Sequence, residues 1–358
     1  MNLPWVGLAL ALGLLCIPSK YLGPDIPVLQ RLRKMDPLGV TLNMASPVLF
    51  SVALEFSGSV WSWSAGSTIA VWVVFGVVTI AWALQQSLCI LTTPAERSIP
   101  CHLLTRLDLL PLWIASGCAG ASYAVTLYYT PLFFSFARGH DALQQTVRIL
   151  PFILVFIFVV ILVGIALPKV GYYATFYLLA GSMTISAAAA MANTMDDPST
   201  AESVIMGLEA LIGIGLGCSF QHGVGISNVL NAKSPRDKVD SAVLFNMAQM
   251  GAIAIVLALA GCIFQNVGFQ LLKDAVGAAA GYSDEDLREA LAGVSSSLWQ
   301  TRDPEVLRRG IEAVSQVIAR EFYLVVAGGV VCLVCSLGMS WERLDYGAKP
   351  AREGEGEA

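Results

Sequence analysis

Nine stretches of this chain are apolar and almost free of charge, at roughly residues 3–18, 38–57, 68–91, 109–135, 149–168, 172–192, 203–228, 241–268 and 322–341. About 20 apolar residues are what an α-helix needs to cross the hydrocarbon core of a bilayer, and all but the first run reach that length. A backbone in lipid must satisfy its own polar groups, which helices do within themselves. The predicted fold class is therefore all-α: a polytopic helical membrane protein of about nine transmembrane helices. Composition agrees, with 56% hydrophobic and 13% charged residues and a mean hydropathy of +0.68, against about 25% charged in soluble domains. The net charge of −5, with basic residues scattered among loops, excludes a nucleic-acid partner. The short first run has neither a basic leader nor a small-residue cleavage site, so it reads as a span rather than a signal peptide.

The loops predict an orientation. With Met1 outside, thirteen Lys and Arg fall in inside loops, against Arg138 and Arg148 in the short outside ones. That is a strong positive-inside bias. The other six basic residues lie in segment 269–321, beside nine acidic ones, and that mixed-charge segment is placed outside as short helices forming a solvated interfacial hairpin. A helix start is predicted at Asp303-Pro304. Trp61 and Trp63 suit an aromatic belt at the outer interface.

The most informative stretch is Ser203–Leu230, which places Glu209 among Met206, Leu208, Leu211 and Ile212. A carboxyl group at that depth costs about 2.5 kcal/mol or more, so it faces a bundle interior or a wet cavity. Glu209 reads either as a proton-carrying site or as a protonated residue bonded to a neighbouring helix. Gly213 and Gly217, with Gly215 between them, let other helices approach closely. Gln221 and His222 end this run, and the histidine reads as a donor to a carbonyl rather than a relay.

Elsewhere, Asn246 and Gln249 are three residues apart and predicted to share a helix face, either lining a polar cavity or bonding another helix. Tyr128 and Tyr129 read equally as aromatic cavity lining or as packing. Glu55 is interfacial, while Arg106 and Asp108 pair locally. Cys332-x-x-Cys335 lacks a redox-fold context and reads as packing. No metal site, cofactor, nucleophile triad or phosphate loop is indicated, so an enzyme is not expected.

Five patterns carry a family resemblance: NLPWVG with Asn2 and Pro4; DPLGVTL, a D-x-x-G-x-x-L set formed by Asp36, Gly39 and Leu42; LYYTPLFFSFARG, ending at Arg138-Gly139; LQQTVRILPF; and GLEALIGIGLGCSFQ. In order and spacing they resemble the sixth, seventh, ninth, tenth and twelfth spans of the fungal fourteen-span drug:proton antiporter family of the major facilitator superfamily. The resemblance implies a chain running from the sixth span to the fourteenth. Residues 1–104 would hold a partial sixth span and two linking spans, 105–341 a C-terminal six-helix bundle including outer loop 269–321, and 342–358 an acidic cytoplasmic tail. Spans one to five have no counterpart here.

The implied function is proton-coupled export of small amphipathic organic compounds such as drugs, toxins or secondary metabolites. The implied partners are the lipid bilayer, the substrate, protons and an N-terminal bundle that is missing or separate. Glu209 is then the proton-coupling candidate, and Tyr128, Tyr129, Gln221, Asn246 and Gln249 are cavity candidates. Asn2, Pro4, Asp36, Gly39, Leu42, Arg138 and Gly139 are structural motif residues. The alternative is a transport-incompetent relic or accessory protein. A plasma membrane is the expected location, with a vacuolar or other endomembrane as the alternative.

Overall fold

The computed structural model describes residues 3–16, 36–94, 96–231, 235–277 and 281–346. They form helices α1 (Leu3–Cys16), α2 (Pro37–Phe56), α3 (Gly66–Leu88), α4 (Cys101–Leu104), α5 (Leu110–Arg138), α6 (Ala142–Val170), α7 (Tyr173–Thr194), α8 (Glu202–Gly217), α9 (His222–Leu230), α10 (Pro235–Leu272), α11 (Asp284–Ala292) and α12 (Pro304–Leu337). Among the described residues, eight helical segments are long and apolar enough to span a membrane, with α8 and α9 counted as one, and α1 is a shorter apolar helix. These match the nine runs drawn from sequence.

The helix ends follow local chemistry. Asp141 and Gln144 make a reciprocal capping box at the start of α6, and Ser283 and Asp286 make another at α11. Asp303 caps α12 with Pro304 at its first position, as the sequence predicts. Pro47, Pro131, Pro151 and Pro168 lie inside helices, which membrane helices tolerate because neighbouring groups take up the freed carbonyls.

Packing centres on α12, which lies against α7 and α5; α5 also packs on α10, and α8 fits between α6 and α7. Helices α2 and α3 form a hairpin whose first member docks on α10. The α1 helix is exposed along nearly its whole length. Close approach is set by glycines. A β-carbon at Gly181 would sit 2.7 Å from the Leu333 backbone nitrogen, and one at Gly213 would sit 2.9 Å from the Phe152 carbonyl oxygen.

Two expectations are corrected. Residues 203–228 are not one helix: α8 ends at Gly217, residues 218–221 turn, and α9 begins at His222. Segment 269–321 is not a separate solvated hairpin either. Its two ends are continuations of α10 and α12, joined through a π-helical turn (Lys273–Gly277), α11 and a 3-10 turn (Ser297–Gln300). Leu287, Ala290, Leu291 and Leu298 are buried in the same core as Phe264 and Val317. In α11 the charged residues Asp284, Glu285 and Glu289 are exposed, while Leu287, Ala290 and Leu291 turn into the bundle core. Trp63, in the α2–α3 turn, is 54% exposed.

Candidate functional site

Glu209 is the eighth residue of α8, about 10 Å along the helix from Glu202. It is 0% exposed, and neither carboxyl oxygen has a hydrogen-bond partner among the described residues. The backbone of Phe152 on α6 lies beside it. Phe152 belongs to an aromatic group that the sequence patterns missed. The Tyr123 ring of α5 lies 5.7 Å from Phe152, 5.4 Å from Phe156 and 5.2 Å from Phe220. Tyr123 and Phe156 are half-buried. Four rings from three segments thus form one cluster, which reaches the buried carboxylate through Phe152.

The helix break supplies polar groups to the same region. Interrupting a helix leaves carbonyls without their usual amide partners, and buried ones need replacements. His222 Nε2 meets the Gly217 carbonyl at 3.1 Å, which is the role read from sequence. The Tyr177 hydroxyl of α7 donates to the Ser219 carbonyl at 3.3 Å. The Gln249 amide of α10 donates to the Phe220 carbonyl and lies 3.4 Å from the Ser116 hydroxyl of α5. The three glycines ahead of the break allow this fit: Gly213 and Gly217 face α6 at Phe152 and Val159, while Gly215 faces α7 at Ala180 and Thr184.

The sequence candidates divide. Gln249 is buried at the break, and Gln221 is exposed beside it. Asn246 does not share Gln249's surroundings: it is exposed and donates to its own Ala242 carbonyl at 3.1 Å. Three residues of separation turn a helix by about 60°, enough to carry one amide across the edge between bundle and surroundings. Tyr128 is 58% exposed, whereas Tyr129 is 2% exposed and packs 6.0 Å from Phe264. The structure therefore brings Gln249 and Gln221 to the break beside Phe220, whose ring meets Tyr123 and Phe156, while Glu209 lies about two turns earlier on α8, beside the Phe152 backbone. Tyr128 and Asn246 are exposed on α5 and α10.

A second carboxylate, Glu321 on α12, is also 0% exposed with both oxygens unpartnered among the described residues. Its position at the edge of a charged segment hid it from a hydropathy reading.

The motif residues sit at helix ends. Asp36 caps α2 and Gly39 lies in its first turn; Leu42 is half-buried. Pro4 is in the first turn of α1, and Asn2 lies outside the described residues. Arg138 donates to the Thr200 carbonyl, and Gly139, with φ +63°, closes α5 in the left-handed conformation. Glu202 joins Arg148 at 2.6 Å and His140 at 3.3 Å. Arg106 pairs with Asp108 and also reaches Asn231. Glu55 is exposed and lines a shallow groove of about 380 Å³ with Phe56 and Gln265. Among the described residues, His102, Asp237 and Asp240 come within 4.8 Å of one another. Those carboxylates already meet His102 at 3.1 Å and Arg236 at 3.6 Å, an arrangement of ion pairs rather than of a vacant cation site.

The fold and this site define a polytopic helical membrane protein whose bundle contains a broken helix and, about two turns before the break, a buried carboxylate. By sequence, the chain is a relative of the MFS-type transporters. It is 32% identical over 345 residues to the phomenoic acid biosynthesis cluster MFS-type transporter of Leptosphaeria maculans, covering 92% of this chain and 54% of that protein. It is 30% identical over 346 residues to the efflux pump patC of Aspergillus clavatus, covering 96% of this chain and 62% of the relative. With the efflux pump alnA of Emericella nidulans it shares 30% identity over 353 residues, again 96% and 62%. No family model matches the sequence. The chain spans a little over half to about three fifths of the length of these curated relatives.

Proposed function

We propose that this chain provides the C-terminal bundle and linking helices of a secondary transporter that exports small amphipathic organic compounds in exchange for protons. The observation that carries the proposal is Glu209, a carboxylate buried without a partner among the described residues beside Phe152 of an aromatic cluster, in a chain whose relatives are named as MFS-type transporters and efflux pumps. An ionised carboxylate in such surroundings is costly, so Glu209 binds a proton when enclosed and releases it when water reaches it. The aromatic rings suit an apolar substrate, and Gln249 and Gln221 offer polar contacts beside them. Transporters of this superfamily work by rocking two bundles around a site between them. The second bundle is supplied upstream in a longer polypeptide or by a separate chain. A plasma-membrane location is part of this reading.

The test is efflux of a fluorescent amphipathic compound from vesicles under an imposed pH gradient. The chain is assayed alone and co-expressed with the N-terminal bundle of the patC relative. Efflux that needs the second bundle, and loses its pH dependence in Glu209→Gln, supports the proposal. Absence of substrate-linked proton movement in both preparations favours the relic or accessory reading. Efflux with unchanged pH dependence in Glu209→Gln removes Glu209 as the proton site.

A further inference from the structure

We propose that Glu321 of α12 is a second proton-binding site of the bundle, separate from Glu209 and held in its own interhelical space. The carboxylate is fully buried and both oxygens lack partners among the described residues. Burying an unpaired charge costs several kcal/mol, far more than holding a neutral carboxylic acid in the same place. The group is therefore a carboxylic acid while the surrounding helices stay closed.

The neighbours are fixed by helix register. Gly328 of α12 meets Ser122 of α5, so in this antiparallel pair Glu321 lies level with Tyr129. Gly268 of α10 meets Val317, which brings Phe264 to the same level. Gly181 and Gly329 pair with Leu333 and Ile185 across α7 and α12, placing the Glu321 level near Asn193. Tyr129 from α5 is thus the titratable group level with it, while Cys262 from α10, two residues from Phe264, packs with Leu54 of α2. At this level α7 contributes Ala189, Met191, Ala192 and Asn193, none of them titratable. The π-helical turn packed against α12 adds Lys273 and Asp274, both exposed, with Lys273 held 2.8 Å from Asp284. The 3-10 turn adds no charged residue. Among the described residues, no cation meets either oxygen of Glu321.

Glu209 belongs to a different space, between α6, α7 and α8. The contact of Gly215 with Ala180 and Thr184 places it level with Ala188 on α7. The two carboxyls thus differ in depth by about 7 Å, a little over one helical turn. Helix α7 packs against both α8 and α12, so a shift of that one helix reaches both sites. Two acids at similar depth on either side of a shared helix give the bundle capacity for two protons. That use of the second proton rests on the transporter reading, whereas protonation itself does not.

The test uses the full 358-residue chain in lipid nanodiscs. Dicyclohexylcarbodiimide modifies protonated carboxyls in apolar surroundings, and peptide mass spectrometry locates the product. Labelling of Glu321 at neutral pH is expected on the unmutated chain, so the result does not depend on a variant folding. The infrared band of protonated carboxyl groups should fall in Glu321→Gln, fall separately in Glu209→Gln, and lose both contributions in the double variant. An unlabelled Glu321 together with an unchanged band in Glu321→Gln overturns the inference. Both sites labelled in a preparation that moves no protons supports it and counts against the transporter reading.

Discussion

At Asp36, donors from three parts of the chain converge on one buried carboxylate. The Gly39 amide lies 2.8 Å away, the Gln85 amide 3.0 Å, the Gln86 amide 2.7 Å, and the Ser98 amide and hydroxyl each 3.4 Å. Burial alone would push this carboxyl up, but the hydrogen bonds more than offset it, and the group stays below the usual aspartate range. A depressed folded-state value means that its contribution is present above the unfolded value near 4 and is lost as pH falls through the folded value. Asp36→Asn should therefore lower thermal stability at neutral pH by about 1–2 kcal/mol. The deficit should shrink below about pH 4, read from melting curves of the purified protein across pH. Gly39 explains the spacing of the motif, because a β-carbon there would overlap the Asp36 carboxylate and the Gln86 amide. Gly39→Ala should cost about 1–3 kcal/mol by the same melting measurement. Single residues were unevenly legible in the sequence. Glu209 stands out because apolar residues flank it on both sides. Glu321 follows Arg320 in a segment rich in charge, so it looked like part of a solvated face until the turn of α12 put it inward.

Among the elements, the broken helix α8–α9 is held by side chains on other helices, which is why the sequence did not reveal it. Nothing in GLGCSFQHG is a proline or a strong breaker pair; the turn persists because Tyr177 and Gln249 satisfy the carbonyls it frees. Gln249→Leu removes one of these donors and leaves a buried carbonyl unpaired. It should destabilise the protein by about 1–3 kcal/mol in thermal melts, whereas Asn246→Leu, on the exposed face, should stay within about 0.5 kcal/mol. Glycine contacts make a second prediction. At Gly181 a β-carbon meets the Leu333 backbone, while at Gly207 it meets nothing within 4 Å. Gly181→Ala should part α7 from α12 at a cost of about 1–3 kcal/mol. Gly207→Ala should be neutral or stabilising by up to about 1 kcal/mol, since alanine is the better helix former. Equal melting temperatures for the two variants would sink the interface assignment.

For the whole molecule, the sequence yielded the number of spans but not their neighbours. Lipid-facing and helix-facing surfaces are both apolar, so hydropathy does not say which faces pack. The packing of α2 on α10 is one such relation, and side chains reinforce it at both ends of the hairpin. At one end Arg288 donates to the Gly58 carbonyl at 2.9 Å while its guanidinium lies 4.4 Å over the Phe269 ring, and Asn266 reaches the Ser57 carbonyl at 3.2 Å. At the other, the Ile99 amide donates to Gln86 at 3.0 Å, and Ile99, Leu103 and Leu109 pack with Leu244 of α10. The linking helices are thus clamped to the bundle and should move with it as one body. Arg288→Ala removes a charged hydrogen bond and a cation–π contact, together worth about 2–3 kcal/mol. Exchange of the residue 57–65 amides should then quicken by about 30- to 150-fold, at 1.4 kcal/mol per factor of ten in the opening equilibrium. The α2 amides near Asp36 should keep their protection, because their clamp is intact. Hydrogen–deuterium exchange read by mass spectrometry resolves both regions. Unchanged exchange at 57–65 would show that helix packing alone holds the hairpin, and faster exchange along all of α2 would show that the clamp at Asp36 cannot hold it without Arg288.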